Sequence, residues 1–138
     1  MLALSSVGMV GVDVEQVRPI EDMDALVNRF FSRREKTAFQ TVPKTEKPPA
    51  FFNLWTRKEA FLKAVGTGIS HSLDQVEVSF LQQERAELLH LPPQMGKTTD
   101  WHLHELAPVT GYVGALIASS QSAKPGCWAW TPELSFDF

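Results

Sequence analysis

The chain has 138 residues, 43% of them hydrophobic and 21% charged, which suits one compact domain and excludes a disordered or fibrous chain. Thirteen Lys and Arg against sixteen Asp and Glu give a formal charge of -3, which disfavours a chain-wide grip on nucleic acid. The longest apolar stretch, Tyr112 to Ala118, is far shorter than the ~20 residues of a membrane-spanning helix. The opening run from Met1 to Val12 lacks the basic flank of a secretory signal, and the one cysteine, Cys127, cannot close an internal disulfide. These features predict a cytoplasmic protein with a single domain over residues 1–138, and neither a membrane nor a nucleic-acid partner.

In chain order, the alternation from Gly8 to Val17 predicts a strand with Val10, Val12 and Val14 on one face and Gly11, Asp13 and Glu15 on the other. Pro19 closes it. Asp22 or Asp24 can cap a helix carrying Leu26, Val27, Phe30 and Phe31. Ser32 reads as the N-cap of a second, short helix, with Glu35 as its capping-box partner. Pro48 and Pro49 suit the entry to a third helix, from about Ala50 to Val65, and Gly66 and Gly68 suit its exit.

Period two then returns. Val76, Val78 and Phe80 form one alternating set and Leu89 and Leu91 hint at another. Trp101, Leu103 and Leu106, then Val113 to Ile117, supply two more strands, and Pro92 to Gly96 reads as a turn before them. Strand, helices, strands is the order of an α+β fold, with one long helix packed on a mostly antiparallel sheet.

Charge is unevenly placed. Nine of the thirteen basic residues lie between positions 29 and 63, opposed there only by Glu35, Glu46 and Glu59. Such a window attracts phosphates or an acidic partner surface; the alternative is a set of solvated helix faces.

Asp13 and Glu15, two residues apart on a strand, project from one face with Cα atoms about 6.5 to 7 Å apart, close enough for both to reach one cation. Hard divalent ions such as Mg²⁺ take carboxylate oxygens. A plain polar sheet face is the alternative. On the third helix Phe51, Phe52, Trp55, Leu62 and Val65 form an apolar stripe, and Glu59 falls inside it. A carboxylate carried to the buried side needs neutralising, either by a metal shared with Asp13 and Glu15 or by a salt bridge to Lys63 or Lys58. Lys63, at i+4 from Glu59, would hold an ammonium beside any bound phosphate, and Lys58 would contact a phosphate or snorkel.

Other sets are weaker. Gly66-Thr67-Gly68 is explained by a helix C-cap, and Ser70-His71-Ser72 lacks an orienting acid and reads as a loop cap. His102 and His104 share a strand face at metal-ligand spacing without a third ligand nearby, and Trp101, Trp128 and Trp130 read as core or surface aromatics.

Gly11-Val12-Asp13-Val14-Glu15, Arg29-Phe30-Phe31-Ser32 with Glu35, and Trp55-Thr56-Arg57-Lys58-Glu59-Ala60-Phe61-Leu62-Lys63-Ala64-Val65-Gly66-Thr67-Gly68 together resemble the 4′-phosphopantetheinyl transferases, in order and in gaps. The resemblance runs from about Val10 to Leu81 and, more loosely, through Gly111 to Ala118. It implies an α+β half-domain of that fold and transfer of 4′-phosphopantetheine from coenzyme A to a serine of an apo acyl or peptidyl carrier protein, releasing adenosine 3′,5′-bisphosphate. It implies Asp13, Glu15 and Glu59 as Mg²⁺ ligands, Glu59 as an aid to deprotonating the serine, Lys63 as stabiliser of the departing phosphate and Lys58 as a coenzyme A contact. Arg29, Arg33, Arg34 and Lys36, flanking Phe30 and Phe31, would then face an acidic carrier protein. In the larger, Sfp-type branch two similar halves hold coenzyme A between them, and this sequence corresponds to the second half. The shorter branch, the acyl-carrier-protein synthases, builds its sites between identical subunits, so a homo-oligomer is one expectation. A catalytically incomplete half that only binds metal or carrier protein is the alternative, and a metal-dependent phosphohydrolase using the same acids is a second.

Overall fold

The computed structural model describes residues 1–66, 73–119 and 125–129. Strand β1 (Val10–Gln16) leads to helices α1 (Met23–Phe30), α2 (Arg33–Thr41) and α3 (Lys47–Val65). Four strands follow, β2 (Glu77–Val78), β3 (Leu88–His90), β4 (His102–Leu106) and β5 (Tyr112–Ala118). They form a three-stranded sheet in the order β1-β5-β4 and a two-stranded sheet of β2 and β3, antiparallel throughout. The expected α+β architecture, a long helix on an antiparallel sheet, is the observed one; Val76 and Phe80 flank a β2 shorter than their alternation suggested. No helix among the described residues is long and apolar enough to cross a membrane.

Local sequence explains the helix ends. Ser32 Oγ accepts the Glu35 amide at 3.2 Å and Glu35 Oε2 accepts the Ser32 amide at 2.9 Å, a complete capping box at the start of α2. Asp22 stands at the N-cap of α1 without a side-chain cap bond. Helix α3 begins at Lys47 and places Pro48 and Pro49 in its first turn, three residues earlier than expected, because proline lacks only an amide that a first turn leaves unpaired. Gly66 ends it in the left-handed conformation, φ 71°.

The apolar stripe accounts for only part of α3's surroundings. Phe51, Phe52 and Leu62 are buried, but so are Leu54, Thr56, Arg57, Lys58, Ala60 and Phe61. A helix enclosed on several sides has no single wet face, so a one-stripe reading assigns too many of its residues to solvent. On one side α3 lies on β1 and β5, where Gly11, Asp13, Ala115 and Ile117 are buried. On others, Phe31 packs against Phe39 and Phe51, and Phe61 stands edge-on to Trp101 with centroids 5.1 Å apart. Trp101 is a core residue, whereas Trp128 is exposed.

Candidate metal and phosphate site

The register of the sheet decides which face carries the acids. Gly11 pairs with Ile117, Asp13 with Ala115 and Glu15 with Val113, and Ile117 and Ala115 are fully buried. The Gly11, Asp13, Glu15 face of β1 is therefore the one turned to α3, and the solvent-open polar face considered from the sequence does not occur. Gly11 makes the approach possible, since a Cβ there would stand 2.0 Å from the Ala60 carbonyl oxygen. With the backbones that close, one turn of α3 stands above Asp13.

That turn carries Glu59 and Lys63. Lys63 Nζ donates to Asp13 Oδ1 at 2.6 Å, with the lysine side chain 51% exposed and the aspartate 10%. Asp13 Oδ2 and Glu59 Oε1 are buried and accept no hydrogen bond. Burial first, then the Asp13 carboxylate, push the Glu59 carboxyl above its usual value; Lys63 opposes the shift and Glu15 adds to it. The helical-turn salt bridge from Lys63 to Glu59 is replaced by one across elements, to Asp13. Glu15 is held by Arg18 at 3.4 Å, a pair exposed enough to contribute little.

Among the described residues no three His, Cys, Asp or Glu side chains stand as a finished cage for an ion. The residues nonetheless fit a hard divalent ion. Two buried, unpartnered carboxylate oxygens belong to groups that repel each other across a sheet-helix seam, a third carboxylate on the same strand face is held, among the described residues, by a weak pair, and all the donors are oxygen.

Lys58, which the resemblance implies as a coenzyme A contact, stands apart from this group. It is wholly buried, with Nζ donating to Glu35 Oε2 at 2.5 Å and to the Leu73 carbonyl at 2.6 Å. One position along a helix turns a side chain by about 100°, so neighbours in sequence serve different surroundings. Burial lowers the lysine's pKa and raises that of Glu35, each outweighing the attraction of its partner. Arg57 is buried too, donating to the Ser79 carbonyl at 2.5 Å and to Glu105 at 3.0 Å. Sequence reasoning missed the wider roles of Glu35 and Arg57. Their only signal was polarity at helix positions adjoining apolar ones.

Of the basic window, Arg29, Arg33 and Arg34 are exposed and Lys36 is half-buried. Arg29 lies over the Phe30 ring at 5.0 Å, and Phe30 is half-buried edge-on to Trp55. Phe31 is 1% exposed, which removes it from any docking surface. His102 and His104 lie opposite Ala118 and Leu116 on β5. Thr67, Gly68, Ser70, His71, Ser72 and Trp130 lie outside the described residues.

The family model described as the 4′-phosphopantetheinyl transferase superfamily matches residues 9–117. The 4′-phosphopantetheinyl transferase HetI of Nostoc sp. (strain PCC 7120) is 34% identical over 128 residues, 93% of this chain and 51% of that protein. Sfp of Bacillus subtilis (strain 168), also named a 4′-phosphopantetheinyl transferase, is 35% identical over 83 residues, 60% of this chain and 36% of its own length. The chain thus spans about half the length, or less, of these relatives. The fold matches the holo-[acyl-carrier-protein] synthase of Neisseria meningitidis with a TM-score of 0.63 at 19% identity, covering 82% of this chain and 98% of that one. It also matches the Bacillus anthracis synthase solved in complex with CoA (3′,5′-ADP), with a TM-score of 0.62 at 22% identity, covering 81% and 96%.

Proposed function

The chain belongs to the 4′-phosphopantetheinyl transferase superfamily, and from that premise we propose that its β1-α3 seam is the metal and leaving-group half of a site moving 4′-phosphopantetheine from coenzyme A to a carrier-protein serine. The observation that carries the reading is the pairing of buried, unpartnered oxygens on Asp13 and Glu59 with an exposed lysine reaching into the same seam. Carboxylates left so are costly without a counter-charge, and the divalent ion that accompanies a phosphate-bearing substrate would supply one.

Asp13, Glu15 and Glu59 would hold Mg²⁺, which when bound neutralises charge on the coenzyme A pyrophosphate. The chain's own residues do the rest. Glu59, largely buried at the seam beside Asp13, is suited by position to accept the proton of the incoming serine hydroxyl, directly or through water. Lys63 is long, half in solvent and held over the seam by Asp13; it can swing to the departing 3′,5′-ADP phosphate and offset its charge. The serine oxygen bonds to the phosphorus of the pantetheine arm as the pyrophosphate bridge breaks, and the nucleotide leaves with the bridging oxygen. The exposed Arg29, Arg33 and Arg34 offer positive charge to an acidic carrier surface.

A second reading rests on the chain's span of about half its relatives. Here the seam binds an ion or a carrier protein and needs a further half, or a second copy, to enclose coenzyme A. Incubation with coenzyme A, Mg²⁺ and an apo carrier protein, followed by intact-mass measurement, separates the two. A phosphopantetheine increment on the carrier supports transfer by this chain. Ion binding that disappears in Glu59→Ala, with no increment, supports the second reading, and absence of both overturns the site.

A further inference from the structure

We propose that Lys58 is a positioning residue that holds Glu59 at Asp13 through the buried ion pair with Glu35, and that it does not touch coenzyme A. Its nitrogen has no free direction. It donates to Glu35 Oε2 and to the Leu73 carbonyl, and it lies 5.4 Å from the Phe31 ring centroid, with no exposure to solvent. A phosphate could reach it only by dismantling that cluster.

The same cluster joins four pieces of chain. Glu35 Oε2 accepts the Ser32 amide at 2.9 Å and Oε1 accepts the Val78 amide at 3.0 Å. The pair therefore fastens the first turn of α2, the middle of α3, Leu73 and strand β2 to one another. Apolar contacts along α3 allow a helix to rotate or slide, whereas a charged hydrogen bond inside the protein tolerates little misplacement. On the β1 side α3 meets Gly11 backbone to backbone, a contact that sets its distance; on the α2 side the Lys58-Glu35 bond sets its rotation. Glu59, the next residue along, takes its direction from that rotation. A buried ion pair is a poor device for stability alone, because the desolvation of two charges offsets most of the attraction, and fixing one arrangement is a use it does serve.

The inference rests on the proposed transferase reading only for its kinetic arm. The test compares the full chain with Lys58→Met, Glu35→Gln and the double variant, with circular dichroism to establish folding. With coenzyme A varied, Lys58→Met and Glu35→Gln each lower kcat up to about 10²-fold, the effect of roughly 1 Å of misplacement, with KM for coenzyme A unchanged. The double variant, which leaves no unpaired buried charge, recovers most of that loss. A raised KM for coenzyme A in Lys58→Met without recovery in the double variant makes Lys58 a ligand contact and overturns the proposal. So does an unchanged kcat in Glu35→Gln, the arm that decides should Lys58→Met fail to fold. If the unmodified chain transfers nothing, the transferase reading fails for it by itself. Crystal structures of the variants still decide the positioning claim: Glu59 turned away from Asp13 supports it, and an unmoved Glu59 overturns it.

Discussion

Gly11 and Ala60 stand so close that a methyl group on the first would penetrate the carbonyl oxygen of the second, at 2.0 Å, and crowd the Ala64 amide at 2.6 Å. Neither obstacle is a flexible side chain. Gly11→Ala must push α3 off the sheet, and the expected destabilisation is about 3 kcal/mol, at the upper end for overpacking. Urea denaturation measures it. Since Asp13 and Glu59 face each other across the same gap, a Mn²⁺ titration of whatever fraction folds should show weaker binding than the parent chain.

Glu59 supplies a pH-dependent prediction. Its carboxyl is shifted upward, first by burial and next by Asp13, so the folded state holds the proton more readily than the unfolded one. Its stabilising contribution is complete below the usual carboxylate value and is lost as pH rises through the shifted one. In chelator-treated, metal-free buffer, Glu59→Gln should raise the Tm at pH 7 to 8. The gain should shrink as the pH falls towards 4. A gain independent of pH would show that charge crowding is not its cause.

Lys63 occupies Asp13 Oδ1 and, in the proposed site, would compete with an incoming cation for it. Lys63→Met should therefore move two measurements in opposite directions. Divalent-ion affinity, followed by calorimetry, rises, while transfer to a carrier protein falls by about 10²- to 10³-fold, the range for loss of one charge-stabilising group. In metal-free buffer stability should fall by about 1 to 3 kcal/mol, because Asp13, 10% exposed, loses its ammonium partner.

The Arg57-Glu105 pair is asymmetric, 2% exposed on the arginine side and 55% on the glutamate side. Glu105→Ala should cost about 1 kcal/mol or less, since solvent replaces the carboxylate. Arg57→Ala should cost about 3 kcal/mol or more, because it leaves the Ser79 carbonyl without its 2.5 Å donor and opens a void beside α3. Thermal unfolding of the two variants side by side tests the ranking.

Local rules carried much of the fold. Capping chemistry identified Ser32 and Glu35, proline and glycine bracketed α3, and alternation found β1 and β5, because each depends on a few adjacent residues. The candidate acids Asp13, Glu15 and Glu59, with Lys63, were legible from strand and helix periodicity. What periodicity could not provide was the partner across elements. Lys58 was expected to contact a phosphate or to snorkel, from its place near the apolar stripe, and to contact coenzyme A, from the family resemblance; the anion it has, Glu35, is set by how α2 crosses α3. In the same way, Lys63 chose Asp13 over Glu59 because the Gly11 approach brings β1 under the helix. The near-complete enclosure of α3 also arises from long-range packing, which the periodicity of an isolated helix does not contain.

The strand order has a further consequence, for the route by which the chain reaches this structure. Val10 lies opposite Ala118 and Gln16 opposite Tyr112, so the β1 edge that carries Asp13 and Glu15 has no hydrogen-bonded neighbour until nearly the last described strand has been synthesised. Closing so long a loop is entropically slow. Helices α1 to α3, with their local contacts, do not wait for that ladder, and the β1-β5 pairing that completes the sheet under the acids is the long-range step.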